Sequence, residues 1–419
     1  MRLSKVLVTA IFLMFTGLVC AGELDMLIDK LVEKEVITEG EGSQLKFETK
    51  EEARKLLAKG ESPGVPSWTQ KLSLKGDVRL REQCDMTETA VDRYRTRIRF
   101  RLGAESGVID GVKAGFGLAS AGIKSATISA LGSGVSVTDG EARSTNHTLG
   151  DSLSKAALMI DYAYLNYSPA GWINISGGKF ANPIYKTTDI LWDSDLNTDG
   201  IATALNFNVN SDMAVFLNNA AIIMDESSAL PDDPMIYCMQ PGVSYKIGTA
   251  SLKAAAAMYM TNVKDYKLDL SAGTNSGAST ALTYEYDAIS LSAELNFNSV
   301  VAGKNIKLFG DSVNTSDPSD DNTGYCGGLT VGDGKISALG QWQLTYMQRK
   351  LKADAWIDTL PDSDSYGGAT NAKGYEVAAT FGLSSVLNLG FDYYNMDKIN
   401  DASSTTPKSL WQADLVYKF

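Results

Sequence analysis

The sequence predicts an all-β chain, a 16-stranded antiparallel transmembrane β-barrel with a short N-terminal helical periplasmic segment. Three observations predict it. Five arginines occupy alternate positions of one segment, the closing segment alternates up to a terminal Phe419, and sixteen alternating segments are joined by tight turns or by long polar loops.

The first observation is the run Arg93 to Leu102. Arg93, Arg95, Arg97, Arg99 and Arg101 alternate with Tyr94, Thr96, Ile98, Phe100 and Leu102. Period 2 is the period of a β-strand, so the guanidiniums share one face and the mostly apolar side chains share the other. Such a strand needs an apolar neighbour on one side and water or anions on the other. A membrane barrel with a wet lumen supplies both.

The second is the C-terminus. Trp411, Ala413, Leu415, Tyr417 and Phe419 alternate with Gln412, Asp414, Val416 and Lys418. A closing strand of this kind resembles the signal read by the outer-membrane barrel assembly machinery. The third is the rhythm of the chain. After strands near 71–83, 93–102 and 112–121, alternating segments fall near 155–167, 171–180, 200–209, 212–224, 235–247, 250–260, 288–298, 304–312, 324–333, 338–350, 373–383, 386–397 and 409–419. Seven connections are short, such as Pro169-Ala170-Gly171 and Ile247-Gly248-Thr249. The eight others are mostly longer and rich in Ser, Thr, Asn, Asp and Gly. Barrels of the outer membrane have short periplasmic turns and long external loops, and an even count leaves both termini periplasmic. Tyr162, Tyr164, Tyr167, Trp172, Tyr245, Tyr259, Tyr393 and Tyr394 lie near strand ends, where interfacial girdles gather aromatic rings, although strands favour tyrosine anyway.

Ahead of the barrel (71–419) the chain has a different character. Residues 1–21 read as a secretory signal peptide: Arg2 and Lys5, then an apolar core from Val6 to Val19, then Val19-Cys20-Ala21 as the cleavage site. A lipoprotein reading would acylate Cys20, but Val19 stands where a small residue is expected. Cleavage removes Arg2 and Lys5 and takes the net charge from −12 to −14. An acidic chain of this kind makes nucleic acid an unsuitable partner. Cys84, Cys238 and Cys326 would remain, which is no disulfide framework. Residues 22–60 read as a periplasmic helical segment. Leu24, Leu27, Ile28, Leu31 and Val32 form one helical stripe, and Thr49 with Glu52 fits a capping box opening a second helix towards Gly60. Residues 61–70, with Pro63 and Pro66, read as a linker.

Parity assigns the arginines a side. A lipid-facing Arg or Lys costs about 2–4 kcal/mol at the bilayer midplane, so the five belong to the lumen. Lys71, Lys75, Arg79 and Arg81 of the preceding strand and Lys113 of the next join them, with Asp77 and Glu105 as local relief. Like charges this close repel, and the third long loop offers Asp189, Asp193, Asp195 and Asp199 as counter-charges. The expected pore lining is a basic wall of Arg79, Arg81, Arg93, Arg95, Arg97, Arg99 and Arg101, with the four aspartates on an opposing constriction loop. The alternative is that the arginines pair with barrel acids and the loop stays outside. No cofactor is expected. Asp195-x-Asn197-x-Asp199-Gly200, in the 193–200 loop, has the spacing of half a calcium loop, but the twelfth position is Asn206 where Glu is expected.

The chain resembles the bacterial outer-membrane putative porins. The matching segments are Lys75-Gly76-Asp77-Val78-Arg79-Leu80-Arg81, Arg97-Ile98-Arg99-Phe100-Arg101-Leu102-Gly103-Ala104, Ala163-Tyr164-Leu165-Asn166-Tyr167, Gly178-Lys179-Phe180-Ala181-Asn182-Pro183 and Trp192-Asp193-Ser194-Asp195-Leu196-Asn197. The resemblance implies a passive pore in outer-membrane lipid for ions and small hydrophilic solutes. It also implies a homotrimer, as in general sixteen-stranded porins, and it implies no particular solute. In such porins the third loop folds into the barrel with its acids facing a basic wall. An enzyme is disfavoured by the residues themselves: His147 is the only histidine, so a Ser-His-Asp arrangement has one candidate base and no His/Cys metal cluster exists. An anion-selective, substrate-specific channel and a non-conducting structural barrel stay open beside the porin.

Overall fold

The structure, a computed structural model, describes residues 16–58, 67–88, 90–121, 123–128, 135–150, 153, 155–226, 232–268, 271–400 and 408–419. The chain divides into two compact units, residues 1–73 with 106–110 and residues 74–105 with 111–419. The first unit carries helices α1 (Thr16–Glu33), α2 (Glu39–Ala58) and α3 (Ser67–Gln70). No described helix is long and apolar enough to cross a membrane. Of the apolar stripe, Ile28 is buried, Leu31 and Val32 are half-buried and Leu27 is exposed. Of the expected signal segment, residues 1–15 lie outside the described residues, and 16–21 belong to α1. Residues 61–66 of the expected linker also lie outside them, while 67–70 form α3.

The cap of α2 lies eleven residues ahead of the expected place. The Thr38 backbone N–H donates to Glu41 Oε2 at 2.8 Å, and the Glu41 N–H donates to Thr38 Oγ1 at 3.3 Å. This reciprocal pair is a capping box. Thr49 lies inside the helix, and its hydroxyl donates back to the Leu45 carbonyl at 2.7 Å. Thr49 and Glu52 repeat the same letters, and the glycines at 40 and 42 argue against a helix there. The chain nevertheless starts α2 before them, and burial of Ile28 against this segment is consistent with tertiary packing overriding propensity.

The second unit is a closed antiparallel barrel. Its sixteen long strands are β1 (Ser73–Thr87), β2 (Arg93–Ile109), β3 (Val112–Ala121), β4 (Ala157–Ala170), β5 (Ile173–Ala181), β6 (Asn197–Asn208), β7 (Met213–Ile223), β8 (Met235–Ile247), β9 (Ala250–Thr261), β10 (Ala288–Val301), β11 (Lys304–Thr315), β12 (Thr323–Gly332), β13 (Trp342–Leu351), β14 (Ala372–Gly382), β15 (Leu387–Lys398) and β16 (Lys408–Lys418). Each pairs with its sequence neighbours, and β16 returns to β1 from Asp77↔Lys418 to Thr87↔Lys408. Closure removes the free edges that would otherwise expose unpaired backbone to lipid. At the seam Gly76 and Phe419 exchange backbone hydrogen bonds of 2.9 and 3.0 Å. A Cβ at Gly76 would sit 2.5 Å from Phe419 Cζ, so the terminal ring lies where only a glycine leaves room.

The second loop (122–156) contains more structure than the sequence predicts. It carries a hairpin of Ile123–Ile128 with Val135–Gly140, and a two-residue strand, His147–Thr148, that adds to β2 beside Arg97 and Ile98. Parity holds around the barrel. On β1, Leu74, Val78 and Leu80 are exposed outward while Asp77, Arg79, Arg81 and Gln83 are buried inside. On β16, Leu415, Tyr417 and Phe419 are exposed and Gln412 and Asp414 are buried. The aromatic girdle needs correcting, however. Tyr167, Trp172 and Tyr245 are exposed, but Tyr259 and Tyr394 are buried within the interior. Tyr162 and Tyr164 face wall glycines 103, 115 and 117 of β2 and β3, because an irregularity opposite Gly117 and Leu118 shifts the register of β4. Position near a strand end does not distinguish the faces; one added residue exchanges them.

Replacing Thr38 by Ala removes one half of the capping box and costs about 1 kcal/mol. Hydrogen exchange in the first turn of α2 is then expected to accelerate about five-fold, whereas Thr49→Ala leaves that turn unchanged.

Candidate functional site: a basic wall and three packed loops

Each ladder arginine has an identifiable environment. Arg81 makes a two-pronged contact with Asp414 of β16, Nε to Oδ1 and Nη2 to Oδ2, both 2.7 Å. Arg79 lies 3.5 Å from the same carboxylate and donates to Asn146 Oδ1 at 2.5 Å. Arg99 and Arg101 share Asp77, at 2.9 and 2.7 Å. Arg95 pairs with Asp85 at 2.6 Å. Arg97 donates to the Gln83 side-chain oxygen at 3.1 Å, and Arg93 is exposed at the start of β2. The wall is thus threaded by acids from its own and neighbouring strands. Desolvating a charge costs several kcal/mol unless a partner is held in good geometry, and Asp77, Asp85 and Asp414 provide one.

The third loop (182–196) packs against inward-facing positions of the barrel. Asp311 of β11 receives the Thr187 N–H at 3.1 Å, the Thr188 N–H at 2.5 Å and the Thr188 hydroxyl at 2.6 Å. Gln240 of β8 receives the Tyr185 N–H and donates to the Tyr185 carbonyl, both at 2.8 Å. Ile190, Leu191 and Trp192 then join a buried cluster with residues of the fifth loop (262–287), the seventh loop (352–371) and the inner faces of β7 to β13. At its centre the Trp192 and Trp356 rings stand 5.8 Å apart, and Tyr259 lies 4.7 Å from Trp356. The Trp356 indole N–H donates to the Leu191 carbonyl at 2.9 Å.

Arg349 of β13 fastens these loops. It is 4 % exposed, and three carboxylates meet it: Asp189 of the third loop at 2.8 Å, Asp362 of the seventh at 3.2 Å and Glu376 of β14 at 2.8 Å. Asp358 and Asp354 of the seventh loop bind the fifth, accepting from Thr274 at 2.8 Å and from the Ser276 hydroxyl at 2.6 Å. Arg143 of the second loop donates to the seventh-loop carbonyls of Asp358, Pro361 and Gly368 at 3.0–3.2 Å. The sequence reading does not include Arg349, Asp311 or the seventh loop in the site. One signal was available: Arg349 and Glu376 fall on inward positions of adjacent strands.

The four loop aspartates do not form one row. Asp195 reaches the ladder, its Oδ1 3.4 Å from Arg101 Nη1 and its Oδ2 accepting from the Thr145 hydroxyl at 3.1 Å. Asp193 accepts N–H groups of Asp195 and Ser363, each at 2.8 Å. Asp189 serves Arg349. Asp199 belongs to β6 rather than to the loop, and pairs with Lys179 of β5 at 2.9 Å. The seventh loop supplies a counter-charge that the sequence reading lacks: Asp364 lies 3.2 Å from Arg81. The calcium spacing is split up as well. Asp195, Asn197 and Asp199 turn to Arg101, Asp161 and Lys179 in turn, and among the described residues no three His, Cys, Asp or Glu side chains gather at a metal position.

Burial separates the loop carboxyls by their partners. It pushes Asp193 up to about 7, against the pull of the two N–H groups that it accepts. It raises Asp362 as well, with Asp189 adding to the effect and Arg349 opposing it. Burial also acts to raise Asp364, but Arg81, the Gln412 side chain and Arg97 outweigh it and hold that carboxyl below the usual range. The ladder therefore keeps its nearest loop acid ionised.

A closed sixteen-strand barrel with a charged interior and an apolar outer face defines a β-barrel channel protein of the outer membrane. The family described as "Putative porin" matches residues 83–308 and 267–419, and the chain belongs to it. Among solved structures, OprB of Pseudomonas putida is similar over 87 % of this chain and 96 % of its own, at 10 % identity and a TM-score of 0.53, a likeness that shows a shared fold. A triple mutant of the Rhodopseudomonas blastica porin matches over 83 % of this chain and 100 % of its own, at 11 % identity and a TM-score of 0.42. The trimer form of Vibrio cholerae OmpT matches over 83 % and 99 %, at 10 % identity and a TM-score of 0.44. No curated protein matches the chain.

Arg349→Met leaves Asp189, Asp362 and Glu376 facing one another, and a cost of about 3–5 kcal/mol is expected, read as a lower midpoint in urea unfolding. Asp193 gives a pH test. Its folded pKa lies above the unfolded one, so its contribution is fully present below about pH 4 and is lost as the pH rises to about 7. The stability of the wild type is expected to fall across that window relative to Asp193→Asn, with the two thermal-unfolding curves compared at each pH.

Proposed function

We propose that the protein is a porin whose water-filled lumen passes ions and small hydrophilic solutes by passive diffusion. The narrow part lies between the basic wall of Arg79, Arg81, Arg93, Arg95, Arg97, Arg99 and Arg101 and the third loop, which brings Asp195 to that wall. The observation that carries this reading is the 3.4 Å contact between Arg101 on the wall and Asp195 on the loop. Opposite charges brought face to face set a transverse field, which orients dipolar solutes and disfavours apolar ones. Asp364 of the seventh loop adds to the acidic side.

The same reading places the short turns and the N-terminal helices in the periplasm, the exposed Leu, Ile and Tyr side chains in outer-membrane lipid, and the closing strand with Phe419 before the barrel assembly machinery. It includes a homotrimer, no cofactor and no catalysis. A second reading, a non-conducting barrel, is favoured by the Trp192–Trp356–Tyr259 cluster, which occupies interior volume along β7 to β13.

Single-channel recording of the purified protein in a planar bilayer under a KCl gradient separates the two. Stepwise conductance is expected, in threes for a trimer; folded protein without conductance supports the closed barrel. Arg97→Glu is expected to move the reversal potential towards cation preference, and Asp195→Asn towards anion preference. A change in permeability ratio of about two-fold per unit charge is expected, because a charge about 8 Å from the ion path in water is worth about 0.5 kcal/mol. An unmoved reversal potential in both variants would place the constriction elsewhere.

A further inference from the structure

The loop end of the basic wall holds a cavity of about 300 Å³ between β1, β2, the start of β16, the second loop and the seventh loop. We infer that this cavity is a binding station for a small oxyanion, a phosphate or a carboxylate, held chiefly by Arg97 and Lys408. The inference deepens the porin reading, since the lumen is the ligand's route to the cavity.

Four cations line the cavity, Arg95, Arg97, Arg143 and Lys408, against three acids, Asp85, Glu141 and Asp364. Each acid is already engaged. Asp85 pairs with Arg95 at 2.6 Å, Asp364 with Arg81 at 3.2 Å, and Glu141 lies 3.8 Å from Arg143. Arg143 is further occupied by three backbone carbonyls of the seventh loop. Two cations are left with weak compensation. Arg97 has no carboxylate at ion-pair distance and donates to the neutral Gln83 amide oxygen at 3.1 Å, with Asp364 and Asp85 acting on it from farther away, and Lys408 stands 4.0 Å from an Asp85 that Arg95 holds closely. The Nε–H groups of Arg95 and Arg97 are also buried with no hydrogen-bond acceptor. A buried donor without an acceptor forfeits about 1–3 kcal/mol, more for a charged group.

An oxyanion answers the surplus of charge. Its charge balances the surplus cation, and its oxygens accept from the guanidinium N–H groups, which are built for carboxylate and phosphate. Ser144 adds a hydroxyl donor to the lining, whereas the Ser363 hydroxyl donates to the Arg143 carbonyl at 3.0 Å. At about 30 Å³ per water, the volume corresponds to about ten waters, enough for a four-oxygen anion with part of its hydration. Chloride, with no fixed geometry, gains less from a planar fork.

The test is calorimetric titration of the full-length protein in detergent with sodium phosphate and, separately, with sodium acetate. Saturable binding of either anion is expected, and the arm with the greater affinity tells phosphate from carboxylate. Arg97→Gln is expected to weaken binding about ten-fold, the loss of one charge-assisted partner. Lys335→Gln, which makes the same change of net charge at a turn on the other end of the barrel, is expected to leave it unchanged. If Arg97→Gln does not fold, Lys408→Gln carries the same expectation. No binding of either anion, or equal weakening in Arg97→Gln and Lys335→Gln, overturns the inference. Bilayer recording keeps the two readings apart. Conductance without anion binding removes the station and leaves the porin, whereas binding without conductance removes the porin and leaves the station.

Discussion

Each strand of this barrel has one face against lipid and the other against the interior, and the architecture depends on that partition. It decides the fate of every charge. A guanidinium at the midplane of the lipid face costs about 2–4 kcal/mol, so the arginines of β1 and β2 must all turn inward together. Once inside they crowd one another, and the acids of the same sheet become necessary. Asp77 between Arg99 and Arg101, Asp85 beside Arg95, and Asp414 under Arg79 and Arg81 hold the wall in place. The wall is a mixed-charge lattice, and at Arg97 the acids Asp364 and Asp85 act from beyond ion-pair distance while the hydrogen-bond partner is the neutral Gln83.

The same partition shapes the far side of the interior. Around β7 to β13 many inward positions are small or apolar, among them Ala220, Ala257, Val313 and Cys326, with the polar Asn218, Gln240, Asp311 and Arg349 set between them. This surface is a floor on which loops can settle, and Trp192 and Trp356 pack on it against Tyr259 of β9. Each aromatic side chain buries about 150–250 Å², so three of them make a substantial core. Polar anchors give that core its register. Asp311 takes the backbone of Thr187 and Thr188, and Arg349 collects one carboxylate from each of three elements. The basic wall and the apolar floor are thus opposite answers to the same geometric demand, and the third loop bridges them, with Asp189 on the floor side and Asp195 at the wall.

Much of this was legible in the chain itself. All sixteen strands are where period 2 places them, with the first beginning two residues late and running on to Thr87, β2 running on to Ile109, and β13 beginning four residues late. The side of the ladder, the outward face of the closing strand and the long third loop were legible for the same reason: alternation is local, and lipid penalises the wrong choice at each position. Three readings failed where local letters were ambiguous. Thr49 and Glu52 mimic the capping box that Thr38 and Glu41 form. Tyr162 and Tyr164 change faces because of an irregularity that leaves no mark in composition. Asp199, at the edge of a loop, is taken up by β6.

The sequence by itself determined the class of protein: strand number, parity, the basic wall and the membrane-facing surface. Each follows from side-chain alternation and from the cost of a charge in hydrocarbon. Only the tertiary structure decided which acid meets which arginine, that the fifth and seventh loops join the third, and that Arg349 fastens them. Several of these pairings join residues more than a hundred positions apart, such as Asp189 with Arg349 and Arg81 with Asp414. Polar loops carry no periodicity, so their partners are chosen by closure of the barrel and by the volume left inside it.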